Sequence, residues 1–417
     1  MNMIYKSIVS GFLFLFVFNS IIIAQLIVES DTKTIQGFSE ERLDRLNSRM
    51  HQFVDNGQLS SVQTAIMRHG ELVHFDTYGN ADIESETSLS DDSMWRIYSM
   101  TKPIVSVGLM MLYEQGLFNL NDDVASYIPA FSDMTVYSEE NGIQPAKNKI
   151  KIIDLLRHTS GLGYGWGGGY VDSLYNTENK WAMETTGEFA NWIATQPLYY
   201  EASEGWRYSV STDICGRLIE VISGQDLDEY LDEHILTPLG MDDTYFEVPQ
   251  DKINRLVTNY TDRRGDKLTV IDHPKESNFT KTVTHFSGGG GLVSTISDYL
   301  AFCQMLLNGG HSNGTKFLSR KTIDLMTQDH CKHIPRTGQL AGTGNGFGLG
   351  FSMINDVAAT GALGTKGTYG WGGAAGTYFR IDPKENLIYV MMIQLMPYDH
   401  LQARQVFQNM VYQALVD

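Results

Sequence analysis

The sequence predicts an α+β protein, in which an antiparallel β-sheet flanked by helices meets a mainly helical lobe. Three observations predict it. An amphipathic run and a hairpin pattern follow the apolar start of the chain. A long middle region has helical periodicity broken by Gly- and aromatic-rich loops. Short apolar strand patterns and a last amphipathic run close the chain. The sheet is expected from residues 35–80 and 345–417 and the helical lobe from about 90 to 340, within one domain spanning 25–417.

Phe38 to Val54 has the apolar spacing of a helix, with Ser39 near its N-cap and Glu40 and Glu41 in its first turn. Ser61 to Met67 and Leu72 to Tyr78 form a hairpin about His69-Gly70. Ser99 to Gly116 (SMTKPIVSVGLMMLYEQG) repeats apolar residues at Ile104, Val105, Val107, Leu109, Met111 and Leu112. That spacing predicts a mostly buried helix with Pro103 in its first turn and Gly116 closing it. Ile296 to Leu307 is a second clear amphipathic helix. Phe347 to Ile354, Gly376 to Ile381 and Leu387 to Leu395 are expected strands, and His400 to Val416 a closing helix.

The ends and the composition narrow the class. Lys6 precedes the apolar run Ile8 to Ile23, which ends at Ala24-Gln25, so residues 1–24 are expected to be a signal peptide. The mature chain is then exported, periplasmic or secreted, with no stable membrane association; an uncleaved anchor is the alternative. The 417 residues carry 42% hydrophobic residues, ample for a large core, and a net charge of −18 without a basic cluster, which excludes a nucleic-acid partner. Cys215, Cys303 and Cys331 are too few for a disulfide scaffold, and the first and second fall in helices as small apolar residues.

The chemistry concentrates at Ser99-Met100-Thr101-Lys102. Positions i and i+3 share a helix face, so hydroxyl and amine sit side by side. A serine needs a base to become a nucleophile, and a lysine serves only if its surroundings bring its pKa toward neutrality. Two further stretches matter: Gly205-Trp206-Arg207-Tyr208-Ser209-Val210 before a helical STDICGRLIEVISG, and Tyr369-Gly370-Trp371-Gly372-Gly373-Ala374 before a strand pattern. In this order they resemble the serine β-lactamase and penicillin-binding-protein superfamily, class C-like, and are most similar to family VIII carboxylesterases. Leu155 to Leu162 (LLRHTSGL), Pro238 to Met241 (PLGM) and Ser287 to Leu292 (SGGGGL) extend the resemblance over most of residues 35 to 415.

The resemblance implies a β-lactamase/transpeptidase-like fold with Ser99 as nucleophile, Lys102 as its base partner and Tyr208 as second base and proton shuttle. It implies an oxyanion hole from the N–H groups of Ser99 and Ala374. Backbone donors must approach the substrate closely, which suits the neighbouring glycines. The chain departs from β-lactamases twice: Val210 stands for Asn, and Trp371-Gly372-Gly373 for Lys-Thr-Gly. Both departures remove groups suited to a substrate carboxylate and favour an ester, neutral or weakly polar. Tyr164, Trp166, Tyr170, Trp206 and Trp371, with Gly372 and Gly373, form the candidate substrate-binding set; Trp181 is expected to be ordinary core.

Several decoys are set aside. Gly310-His311-Ser312-Asn313-Gly314 fits a nucleophile-elbow pattern, but a helix precedes it where a strand is required. Tyr78-Gly79-Asn80 precedes Ser99 in the chain, the wrong order for this family. Lys366-Gly367-Thr368 is expected to be loop, and His330-Cys331-Lys332-His333 lacks further metal-ligating residues nearby. The sequence therefore points to an exported serine esterase working through an acyl-enzyme, on a small-molecule ester, without metal or cofactor. An amidase of D-aminopeptidase or penicillin-binding type, a β-lactamase, a transesterase and a non-catalytic penicillin-binding-like sensor are its alternatives.

Overall fold

Ser39 starts the first helix by accepting the Arg42 N–H on its Oγ (3.4 Å), and Glu40 and Glu41 face the positive end of the helix dipole. The computed structural model describes residues 34–263, 267–335, 340 and 342–417, so the expected signal segment lies outside the described residues. Helix α1 spans Glu40–Asp55. Strands β1 (Ser61–Arg68) and β2 (Glu71–Asp82) follow, joined by His69 and Gly70, whose φ values of 54° and 80° suit a two-residue hairpin turn. A two-residue strand β3 (Thr87–Ser88) pairs with the end of β2. The middle of the chain supplies helices α2 (Thr101–Glu114), α3 (Ser211–Ser223) and α4 (Ile296–Leu307). The C-terminal part returns as β4 (Asn345–Phe347), β5 (Ser352–Ile354), β6 (Tyr369–Gly372), β7 (Tyr378–Asp382), β8 (Leu387–Met392) and α5 (Ala403–Gln413).

These eight strands form one antiparallel sheet in the order β4-β5-β6-β7-β8-β1-β2-β3. Pairing of β8 with β1, from Leu387↔Arg68 to Met392↔Gln63, stitches the two ends of the chain together. The period-two alternation of β8 divides the core. Leu387, Tyr389 and Met391 pack with Leu46 and Phe53 of α1 and Phe407 of α5. Ile388, Val390 and Met392 face the larger core that contains α2, α3 and α4. The two ends of the described chain also meet: Ser39 N–H donates to Ala414 O, Val416 N–H donates to Gly37 O (2.9 Å each), and Asp417 accepts from Arg68 at 2.8–2.9 Å.

Three expectations are corrected. Phe347 to Ile354 is not one strand. Gly348 to Phe351 forms the turn between β4 and β5, and Gly350, at φ 92°, rests against α2 where a Cβ would come within 2.4 Å of Ser106 Oγ. Ser99 is not in the α-helix itself. It sits in a single 3₁₀ turn, Tyr98–Met100, that feeds α2. Tyr98 takes φ 43°, a strained value for an aromatic residue, and is held there by an Asn259 Nδ2–H bond to its hydroxyl (3.1 Å) and by the edge of Phe279. The closing helix is also shorter than expected, since Asp399–Leu401 forms a separate turn before α5.

Candidate active site

Lys102 lies on the first turn of α2 and is 1% exposed. Its Nζ donates to Ser99 Oγ at 3.3 Å and to Gly289 O at 2.5 Å, and stands 4.7 Å from the centre of the Tyr208 ring. The Gly289 carbonyl is itself fixed. Asp213, fully buried at the start of α3, accepts the Ser287 hydroxyl (2.6 Å) and the Gly289 N–H (3.0 Å) on one oxygen. A Cβ on Gly289 would lie 2.3 Å from the other oxygen, so only glycine lets the loop come this close. Asp213 and Gly289 are the residues the sequence did not single out. The polar side chain inside an otherwise apolar helix pattern, and the glycine run 288–291, were the available signals.

Tyr208 lies three residues before the start of α3. Its hydroxyl oxygen accepts the indole N–H of Trp371 at 3.3 Å, and because an indole only donates, the phenolic proton is left free to point elsewhere. His158 packs against the same ring at 4.9 Å, with its Nδ1 3.3 Å from Ser209 Oγ. Burial, with a smaller contribution from the charge of Lys102, holds His158 well below the usual imidazole range and hence neutral. Burial likewise pushes the Tyr164 phenol well up. Val210 is fully buried and does not face the cleft.

The Trp371-Gly372-Gly373 segment ends β6, an interior strand, in register with Phe379 and Tyr378 of β7. A turn follows, closed by Gly373 N–H to Thr377 O (2.8 Å). A Cβ on Gly373 would meet Ile97 O at 2.4 Å, so the turn lies directly against the residues that lead into Ser99. Arg404 of α5 holds it from behind, donating to Gly373 O (2.5 Å), Thr377 O (2.8 Å) and Gly376 O (3.4 Å). Gly372 leaves the space that the Arg404 guanidinium fills. Ser99, Tyr208 and Ala374 thereby line one cleft of about 590 Å³.

The aromatic set divides. Trp371 and Trp166 line this cleft, and Trp166, 68% exposed, stacks on the buried Tyr164 at 4.1 Å. Trp206 does not line it. It is 1% exposed and packs beneath Tyr208 with Phe347 and Cys331. Tyr170 heads a short helix, Tyr170–Leu174, is exposed, and leans on Tyr137 at 5.0 Å outside the cleft. Trp181 is not core. It is 46% exposed and lines a second chamber of about 530 Å³ with Phe246, Phe279 and His285.

Ser312 sits in the hairpin His311–Ser312 with Thr315–Lys316 that follows α4. Tyr78 donates to Asp55 and stacks on His51, and Lys366-Gly367-Thr368 is a turn. His330 Nε2 bonds Leu325 O, and the described residues contain no group of three or more metal-ligating side chains.

An antiparallel sheet, a helical lobe and a serine–lysine–tyrosine cluster at their junction define the class, a serine hydrolase of β-lactamase/transpeptidase fold. The family model described as Beta-lactamase matches residues 46–408, and the chain belongs to that family. Protein Rv1367c of Mycobacterium tuberculosis (strain ATCC 25618 / H37Rv) is 32% identical over 374 residues, 85% of this chain and 90% of that one. Esterase EstB of Burkholderia gladioli is 27% identical over 358 residues, covering 81% and 86%. In fold, the chain is similar to the solved structure of EstCE1, described as a hydrolase with promiscuous acyltransferase activity. The TM-score is 0.78 at 24% identity, over 89% of this chain and 99% of that one.

Proposed function

We propose that this hydrolase is an exported carboxylesterase that works through an acyl-enzyme on Ser99. The observation that carries the proposal is the buried Lys102, 3.3 Å from Ser99 Oγ, with one N–H committed to Gly289 O. A neutral amine in this place keeps that donor and turns its lone pair to the serine proton. As Ser99 Oγ bonds the ester carbonyl carbon, its proton passes to the Lys102–Tyr208 pair. The tetrahedral oxyanion is held by the N–H groups of Ser99 and Ala374. The proton then goes to the departing alkoxide, which leaves as the alcohol. Water, activated by the same pair, splits the acyl-serine to acid and free serine. No metal or organic cofactor takes part.

Ester preference rests on Trp371. The place of a lysine is taken by an indole that donates to Tyr208. A charged clamp beside the reacting carbonyl, among the stronger polar contacts a site can offer, is therefore missing. The name of EstB agrees with an ester substrate, and the acyltransferase activity in the description of EstCE1 makes an alcohol a reasonable second acyl acceptor. A fluorophosphonate probe should add once, at Ser99, and Ser99→Ala should lose several orders of magnitude in kcat/KM for p-nitrophenyl butyrate. An adduct on Ser312, or nitrocefin outperforming the butyrate ester by more than about tenfold, roughly 1.4 kcal/mol in transition-state terms, defeats the proposal.

A further inference from the structure

Several buried and half-buried arginines of this protein pair with carboxylates. Arg68 pairs with Glu385 and Asp417, Arg96 with Asp272, Arg157 with Asp154, and Arg255 with Asp92 and Asp243. Each half-buried or buried guanidinium of this group meets a carboxylate, as the cost of removing an unpaired charge from water requires. Two arginines in the wall of the Ser99 cleft do not, among the described residues. Arg404 is committed to three carbonyls of the Gly373 turn and to the Tyr398 hydroxyl. Arg380, on β7, is different. Its Nε donates to the Tyr378 hydroxyl (2.8 Å) and its Nη1 to Ser352 Oγ (2.9 Å) and, more weakly, Ser352 O (3.5 Å), while Nη2 has no hydrogen-bond partner among the described residues.

The sheet has made room for this side chain. Arg380 is in register with Gly370, and a Cβ there would lie 3.0 Å from Arg380 Cδ. Ser352 on β5 supplies a further polar atom on the same wall of the cleft. The carboxylate nearest in the lining is Asp399, which is exposed and forms no ion pair with Arg380. Half-buried, donating to neutral oxygens only and open to the cleft, the guanidinium has the donor geometry that a carboxylate accepts in pairs.

We infer that Arg380 receives the carboxylate of an acid-bearing ester whose reactive carbonyl lies at Ser99. This rests on the ester assignment above and narrows it: the natural substrate is a half-ester or ester of a dicarboxylic type, with the free acid held away from the reacting centre. Gly370 on β6 and Gly373 just beyond its end are three residues apart, on the order of 10 Å at strand spacing, so a spacer of medium length separates the two groups. The absence of a lysine at Trp371 is then no loss of anion binding. It moves anion binding to the Arg380 wall of the cleft.

The test is a series of mono-p-nitrophenyl esters of adipic to sebacic acid, each paired with its methyl-capped, uncharged counterpart. The wild-type protein should prefer the free acid over its capped partner by more than about tenfold in kcat/KM at one or two chain lengths. In Arg380→Gln that ratio should collapse toward one, and Arg380→Lys should recover part of it. Because each ratio is taken on one protein preparation, a lower active fraction cancels. Should Arg380→Gln fail to fold, the wild-type series decides together with Arg380→Lys. Capped and free esters hydrolysed equally well overturn this inference and leave the ester assignment standing. An acid preference that survives in Arg380→Gln also overturns it. Failure of both series overturns both.

Discussion

The cleft has two sides that are built differently. At the seam, Ser99, Lys102 and Tyr208 are set on or beside α2 and α3, with their neighbours fixed by buried contacts such as Asp213 to Gly289. At the rim, Trp166 is 68% exposed, on a loop rich in glycine. The seam holds the reacting groups on packed helices and buried contacts, the fixed geometry that proton transfer demands. The rim offers large flat surfaces on adjustable backbone, which suits the recognition of varied acyl or alcohol groups. Substitutions should therefore change kcat at the seam and KM at the rim.

The comparison breaks first, if it is wrong, at the proton relay. Lys102→Ala and Tyr208→Phe should each reduce kcat by several orders of magnitude, and the double variant should be little worse than either, since both groups serve one proton. Additive losses, measured with p-nitrophenyl butyrate, would show two independent groups.

The next largest effect is expected one layer back. Asp213→Ala removes the acceptor for Ser287 and Gly289 and loosens the carbonyl that orients Lys102, so kcat should fall about tenfold or more with KM nearly unchanged. Both bonds use a single carboxylate oxygen, so Asp213→Asn retains them and should recover most of the loss. Equal losses in Ala and Asn would deny Asp213 this positioning role.

At the rim, Trp166→Ala should raise KM for long-chain or aryl esters a few-fold, about 1 kcal/mol for a lost aromatic contact, with kcat maintained. A kcat loss matching that of Asp213→Ala would erase the distinction between the two sides.

The smallest effect concerns acid stability. His158 is held neutral in the seam, with its pKa depressed in the folded state, whereas the unfolded chain takes up a proton near pH 6.5. Below that pH the unfolded state binds more protons, so stability is lost as pH falls, by about 1.4 kcal/mol per pH unit for one such group. Urea midpoints measured from pH 7.5 to 5.5 should decline, and His158→Asn should flatten the decline by about one proton. An unchanged slope in the variant would place the acid sensitivity elsewhere.

How much of this was legible depends on the range of the contacts involved. Ser99 and Lys102 are three residues apart, and their approach follows from helical geometry alone. The Gly-Gly of residues 372–373 announces a close backbone approach before the structure says to what. Asp213 and Gly289 are 76 residues apart in the chain, and nothing local marks either as a partner of Lys102. The aromatic residues show the same limit. Trp166 and Trp206 both lie beside glycines, yet one is exposed and the other buried under Tyr208, because burial is decided by what packs from distant segments. The break in Phe347 to Ile354 has the same origin, since the clash that keeps Gly350 a glycine is with Ser106 of α2.

The meeting of the two described ends carries a consequence of another kind. Gly37 and Asp417 approach so closely that a Cβ on the glycine would touch the Asp417 carboxylate, and Phe38 bridges Leu415. The order of strands in space therefore does not depend on where the polypeptide is cut. A circularly permuted gene, joining codon 417 to codon 34 through a short linker and opening the chain at the exposed Asn313-Gly314 tip, encodes the same eight-stranded arrangement. The strand β8 and its partner β1 lie at opposite ends of the natural translation product; in that permutant they would be made one shortly after the other.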